Sequence, residues 1–277
     1  MAGYKELLAV EWDDNAVETF QLNFPNVPVY HGDITKLSAQ ECLGLCNIGV
    51  GELDVLDGSP PCQGFSTAGK RKYDDPRNSL FREYARLLEG MQPRAFVMEN
   101  VTGMVKGHMK QAYLTIIKTL RECGYKARGE VLNAAHYGVP QSRERVIIIG
   151  VRNDLGIEPT HPKPQTKKVS VEDVCPDQSG CRFVTFRNAG GGARNNYSTS
   201  KDPLPTIMKS GVDYYSENKT RDRVPVRVLE ACATFPHGFQ FVGSDSQKIA
   251  RIGNSVPPLL MRAVATHVRE HILEATT

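Results

Sequence analysis

Along residues 1–151 of the 277-residue chain, short apolar stretches alternate with amphipathic ones, and this alternation constrains the fold more than any other feature. Glu6–Trp12, Leu53–Asp57, Arg94–Glu99 and Glu144–Val151 read as strands. Asp14–Phe24, Asn78–Glu89 and Lys110–Glu122 read as helices. Ala16, Val17, Phe20 and Phe24 recur at helical spacing in the first helix, and Gly124 closes the last. Strands separated by helices build βαβ units, so an α/β fold with a mostly parallel sheet is predicted. In such sheets, ligands and reacting groups gather outside the carboxyl ends of the strands.

The alternation stops near Arg152. Pro-, Gly- and Asn-rich strings follow (His161-Pro-Lys-Pro, Arg187-Asn-Ala-Gly-Gly-Gly, Lys201-Asp-Pro), with strand-like pieces such as Cys181–Arg187 among them. Regular structure resumes after Val226, and Pro257–Ala275 reads as a helix with Leu259, Leu260, Ala263, Val264, His267, Val268 and Ile272 on one face. Three parts are therefore expected: a catalytic domain over 1–151, a smaller lobe over 152–226, and a return to the first domain over 227–277. Charge marks the same division. The lobe carries 12 Lys and Arg against 9 Asp and Glu, while the remainder carries 22 of each, so the whole +3 surplus lies in the lobe. That surplus suits either a solvated insertion or a surface that meets polyanions.

With 40% hydrophobic and 23% charged residues, the composition excludes global disorder. No apolar run approaches the roughly 18 residues that span a bilayer, and the first residues do not form a signal peptide, so no membrane association is expected. The seven cysteines are odd in number and lack C-x-x-C spacing. A reduced, cytoplasmic protein without a disulfide framework or metal site fits them best.

Three strings carry chemistry. Cys62, in Gly58-Ser-Pro-Pro-Cys-Gln-Gly-Phe-Ser66, follows a strand directly and lies on a stiff proline turn. Most lone cysteines are small buried hydrophobes, but the prolines, glycines and polar neighbours favour a nucleophile open to the cleft. Glu99, in Met98-Glu-Asn-Val101, ends the next strand. A strand-end carboxylate usually caps or pairs, yet beside a thiol nucleophile it becomes an acid/base candidate. In Gln141-Ser-Arg-Glu-Arg145, alternation puts Gln141, Arg143 and Arg145 on one side. This gives a row of donors for a carbonyl or phosphate oxygen, or simply arginines paired with acidic neighbours.

Taken in order, Pro60-Pro-Cys-Gln-Gly-Phe-Ser66, Glu99-Asn-Val101, Gln141-Ser-Arg-Glu-Arg145 and Ile252-Gly-Asn-Ser-Val-Pro-Pro258 resemble the DNA (cytosine-5) methyltransferase family, over most of the chain. The resemblance implies a Rossmann-like S-adenosylmethionine-dependent fold, and it implies that 152–226 is the target-recognition lobe. By the same resemblance Cys62 is the nucleophile that adds to carbon 6 of cytosine. Glu99 engages N3 and the exocyclic amine, Arg145 holds O2, and Arg143 supports the site. A base inside a duplex is beyond the reach of such a thiol, so the target must be flipped out. Gln63, Ser66 and Arg77 are implied to meet double-stranded DNA, as is Thr206 of Pro205-Thr-Ile207. On the cofactor side the implied contacts are Glu11 (ribose), Trp12 (adenine stacking), Asp33 and Ile34 (adenine), Pro60, Asn254 and Ser255. The family's Arg-Glu and Gln-Gly-Phe-Pro strings are altered here to Arg227-Val228 and Ala233-Thr-Phe-Pro236.

The family pattern also implies a first strand and a Phe-x-Gly-x-Gly turn ahead of Ala2, which the sequence does not contain. That strand is central, so its loss would leave two neighbouring strands with unpaired backbone. Three expectations follow: a truncated methyltransferase, one chain of a split enzyme whose first strand comes from a second chain or an N-terminal segment, or a DNA-binding relic. Methylation of tRNA is a further alternative, disfavoured by Gly64-Phe-Ser66. The leading expectation is a DNA cytosine-5 methyltransferase of the restriction–modification type.

Overall fold

A computed structural model of the chain describes residues 2–61, 79–106, 110–187, 194–215 and 221–276. Its centre is a four-stranded sheet in the order β3 (Val55–Gly58), β4 (Ala95–Val101), β7 (Glu144–Arg152), β5 (Tyr125–Asn133). β3 and β4 run parallel, joined through the helix α3 (Ser79–Met91). β7 is antiparallel to both of its neighbours. Only residues 134–143 separate β5 from β7, too few for the crossover that parallel neighbours require, so the chain doubles back. β5 had no counterpart among the expected strands, and its half-exposed, mixed surface explains why.

Both faces of this sheet are covered, and the β-branched run of β7 is what two-sided burial demands. Phe96 and Met98 of β4 and Val146 and Ile148 of β7 pack against α3 and α4 (Lys110–Glu122). Ala95, Val97, Ile147, Ile149 and Val151 face the other way, against Leu260, Val264 and Val268 of the final helix, α8 (Pro258–Val268). Gly150 is required here, because a Cβ would lie 1.9 Å from the Phe96 ring.

β1 (Ala9–Glu11) and β2 (Val29–His31) form a separate parallel pair around α1 (Asp14–Asn23). They pack through Val10 and Tyr30 on α3 and on α2 (Ala39–Cys46), which a Ser38/Glu41 capping box starts. Among the described residues, β1 pairs with β2 alone and β3 with β4 alone, so β1 and β3 each keep one open edge.

The lobe holds the short α5 (Val171–Val174) and an antiparallel sheet, β12 (Arg221–Arg223), β11 (Asp213–Tyr215), β8 (Arg182–Arg187), β9 (Arg194–Thr199). It is joined to the first part of the chain by two short parallel strands, β6 (Gln141–Ser142) and β10 (Leu204–Pro205). Its core does not stop at Val226. Val171, Phe183, Leu204, Ile207 and Val212 bury against Val228, Leu229 and Cys232 of α6 (Val226–Ala233) and Ile249 and Ile252 of α7 (Asp245–Asn254). Of the segment expected to return to the first domain, α8 and the Ile272–Leu273 turn that follows it pack on the central sheet.

Candidate active site

The carboxyl end of β4 forms the centre of the site. Glu99 lies opposite Ile147 and Arg145 opposite Val101, so the two side chains meet diagonally on one face of an antiparallel ladder. Arg145 Nε stands 2.6 Å from Glu99 Oε1, and the side chains are only 14% and 13% exposed. Arg145 also donates through Nη1 to the Glu144 carbonyl at 2.7 Å. Burial pushes its guanidinium below its ordinary value, and the adjacent Glu99 carboxylate opposes that shift. Such a pair presents a carboxylate and a fixed cation side by side, able to meet a donor and an acceptor on one edge of a planar heterocycle.

The strand leading toward the thiol is held beside this pair. Gly58, the last residue of β3, is in register with Met98, one residue before Glu99. Buried Asn100 donates from Nδ2 to the Pro60 carbonyl at 2.9 Å, while its Oδ1 accepts from Val101 N. Tyr84 of α3 donates to the Leu56 carbonyl at 3.2 Å and leaves room only for glycine at 58, where a Cβ would lie 2.9 Å from its ring. Asn100 and Tyr84 were not singled out from the sequence. The signal for Asn100 was its place between Glu99 and Val101; Tyr84 looks like any core aromatic on an amphipathic helix. Cys62, Gln63, Ser66 and Arg77 lie outside the described residues.

The expected row of three donors is not formed. The strand breaks between Ser142 and Glu144, because β6 pairs with β10 while β7 joins the central sheet, so period-two alternation does not carry across. Arg145 alone joins Glu99. Gln141 is buried, with Oε1 accepting from Ile207 N at 3.1 Å. Arg143 is 2% exposed and donates to two backbone carbonyls, Ile207 O and Gly253 O, each at 2.9 Å. Burial, with the like charge of Arg145, lowers Arg143 to about 9, which leaves it protonated at neutral pH. The Thr206 hydroxyl donates to the Ser142 carbonyl at 2.7 Å and keeps its lone pairs for another partner.

At the end of β1, Glu11 Oε1 accepts from the Trp12 and Asp13 amides at 2.8 and 3.0 Å, leaving its second oxygen available. Trp12 is 79% exposed, an apolar ring standing free beside that carboxylate. Asp33 caps the turn Ile34–Lys36 through the Thr35 amide, which holds its carboxyl below the usual range. Arg86 of α3 anchors that turn by donating to the Ile34 and Leu37 carbonyls. An exposed aromatic plane, a carboxylate with a free oxygen and a capped acidic turn at parallel strand ends suit an adenosine moiety. Asn254 is exposed at the end of α7, and Ser255 donates to the Ile252 carbonyl at 2.8 Å. Among the described residues, no cluster of His, Cys, Asp and Glu could hold a metal ion.

The model of the C-5 cytosine-specific DNA methylases matches residues 1–179 and 181–270. The chain belongs to this family. A cytosine-5 methylase of this kind methylates DNA cytosine with S-adenosylmethionine as methyl donor. It is 33% identical over 307 residues to the type II methyltransferase M1.HphI of Haemophilus parahaemolyticus, covering 96% of this chain and 81% of that protein. Against M.NgoPII of Neisseria gonorrhoeae the identity is 37% over 316 residues, covering 97% and 90%. In fold, this cytosine-5 methylase resembles a prophage-encoded E. coli protein described as a DNA modification methyltransferase, with a TM-score of 0.77 at 22% identity, covering 99% and 94% of the two chains. Restriction–modification type II enzymes thus form its kin. No helix among its described residues is long and apolar enough to cross a membrane.

Proposed function

We propose that this chain methylates carbon 5 of a flipped-out cytosine in duplex DNA through a covalent Cys62 adduct, as a cytoplasmic modification enzyme. The observation that carries this reading is the shielded Glu99–Arg145 pair beside the Asn100-tethered proline turn from which Cys62 follows. The Cys62 thiolate adds to carbon 6, the C5–C6 double bond opens, and the electron density gathers at carbon 5. Glu99 engages N3 and the exocyclic amine while Arg145 holds O2, so charge developing on the ring is met by groups already in place. S-adenosylmethionine, when bound, would supply the electrophilic methyl group that carbon 5 takes up, departing as the neutral thioether, and Glu11, Trp12, Asp33, Ile34, Pro60, Asn254 and Ser255 would hold it. Loss of the carbon 5 proton then reforms the double bond and expels the thiolate. Gln63, Ser66, Arg77 and Thr206 face DNA in this reading, and 152–226 supplies the recognition surface.

The open edges of β1 and β3 favour one addition: a strand from a preceding segment or a second chain completes the sheet between them. The test is transfer of a labelled methyl group to duplex DNA, with this chain alone and with a strand-bearing N-terminal segment supplied. Transfer in the second format at least is expected, and silence in both would sink the enzymatic reading. Wild-type protein should form an adduct on a 5-fluorocytosine duplex that Cys62→Ser cannot form. Adduct formation by the serine variant would show that another residue is the nucleophile.

A further inference from the structure

Arg143 lies where three parts of the molecule meet. It leaves the catalytic sheet between β6 and β7 and spans two backbone carbonyls, Ile207 O in the recognition lobe and Gly253 O in α7. Around it, Gln141 Oε1 accepts from Ile207 N, the Thr206 hydroxyl donates to Ser142 O, and Leu204 N donates to Pro140 O at 2.9 Å. The junction has no slack. A Cβ on Gly253 would lie 2.4 Å from the Met208 carbonyl oxygen and 2.7 Å from Lys209 N, so α7 touches the lobe backbone directly. α7 reaches the cofactor corner as well: Arg251 pairs with Asp13, the residue after Trp12.

We propose that Arg143 is a positioning residue: it pins the Thr206–Ile207 segment and the end of α7 beside the Glu99–Arg145 pair, and it never touches DNA. This rests on the methyltransferase reading above. A guanidinium can bridge two carbonyls of separate segments because its fork is planar and its charge permanent, and at 2% exposure it cannot reach a phosphate. Affinity for duplex comes mainly from phosphate contacts, whereas Arg143 acts on the geometry that receives the extruded base, so its loss falls on turnover.

Arg143→Met is expected to lower kcat at least tenfold, with duplex Kd changed less than about threefold and an unaltered salt slope. A residue that met one phosphate would instead flatten that slope by about 0.9. Arg143→Lys should restore part of kcat, since an ammonium can reach one carbonyl but not bridge both. Gly253→Ala strains the same junction without touching Arg143 and should lose kcat in the same way. Hydrogen exchange at the Ile207 amide, which needs no activity, should quicken in Arg143→Met. That readout separates failure of this proposal from failure of the methyltransferase reading: an unchanged Ile207 rate overturns the clasp even if the chain proves inactive. Wild-type kcat in Arg143→Met, or a flattened salt slope, would also overturn it. So would a fold lost equally in the Met and Lys variants while Gly253→Ala turns over normally.

Discussion

Asn100 shows how a single amide can matter to a reaction it does not touch. It bonds the Pro60 carbonyl from a buried position, so Asn100→Leu leaves that turn without its tether and should cost on the order of 1–3 kcal/mol in the barrier or in stability. Single-turnover methyl transfer, set against the melting temperature, separates the two; no change in either would remove the role assigned to it. His161 offers a pH test. Its side chain is 1% exposed, its Nε2 lies 2.9 Å from the Ile147 carbonyl, and burial lowers its ring below the ordinary histidine value while Glu130 partly offsets this. The unfolded chain therefore binds this proton more readily than the folded one. Stability from the neutral ring is present above the ordinary histidine value and is lost as pH falls toward the lowered folded value. Melting temperature should drop more between pH 7.5 and 5.5 in the wild type than in His161→Gln, and equal drops would refute the assignment. At this scale the places of Glu99, toward the end of β4, and Arg145, at the start of β7, were legible because both strands have a clear apolar pattern. The direction of Arg143 was not legible, because it depends on a strand break that no local periodicity announces.

Elements were legible in proportion to how far their own residues decide them. α4 was expected at Lys110–Glu122 and is found there, since its apolar face and the terminating Gly124 are local signals. β1 proved shorter than Glu6–Trp12, and β5 was missed, because both depend on pairing partners distant in sequence. Phe24 keeps the helical spacing of α1 but is exposed, its ring lying tilted against Phe20 and edge-on to Phe239 from far along the chain. Gly150→Ala should be among the most damaging one-methyl changes in the core. Its Cβ would enter the Phe96 ring, which sits edge-on to Tyr125 with no free volume to retreat into. Overpacking of this kind costs about 1–3 kcal/mol, readable by denaturant titration, and a midpoint unchanged from wild type would contradict the packing.

For the whole molecule, the break between the β1–β2 pair and the four-stranded sheet predicts uneven protection. Amides of β1 and β3 should exchange well ahead of those in β4 and β7, and a supplied strand should slow them. Uniform protection in the isolated chain would mean that the edges are already paired. The family was legible because each of its motifs is a compact string, but how far the lobe's buried core extends was not. A boundary at Val226 follows the change in composition, whereas the buried side chains continue through α6 and α7. A graft of this lobe onto a relative, made to test its proposed recognition role, should therefore cut beyond Ile252. A transplant of 152–226 alone would carry half an interior and leave Val228, Leu229, Cys232, Ile249 and Ile252 facing side chains that evolved against other neighbours.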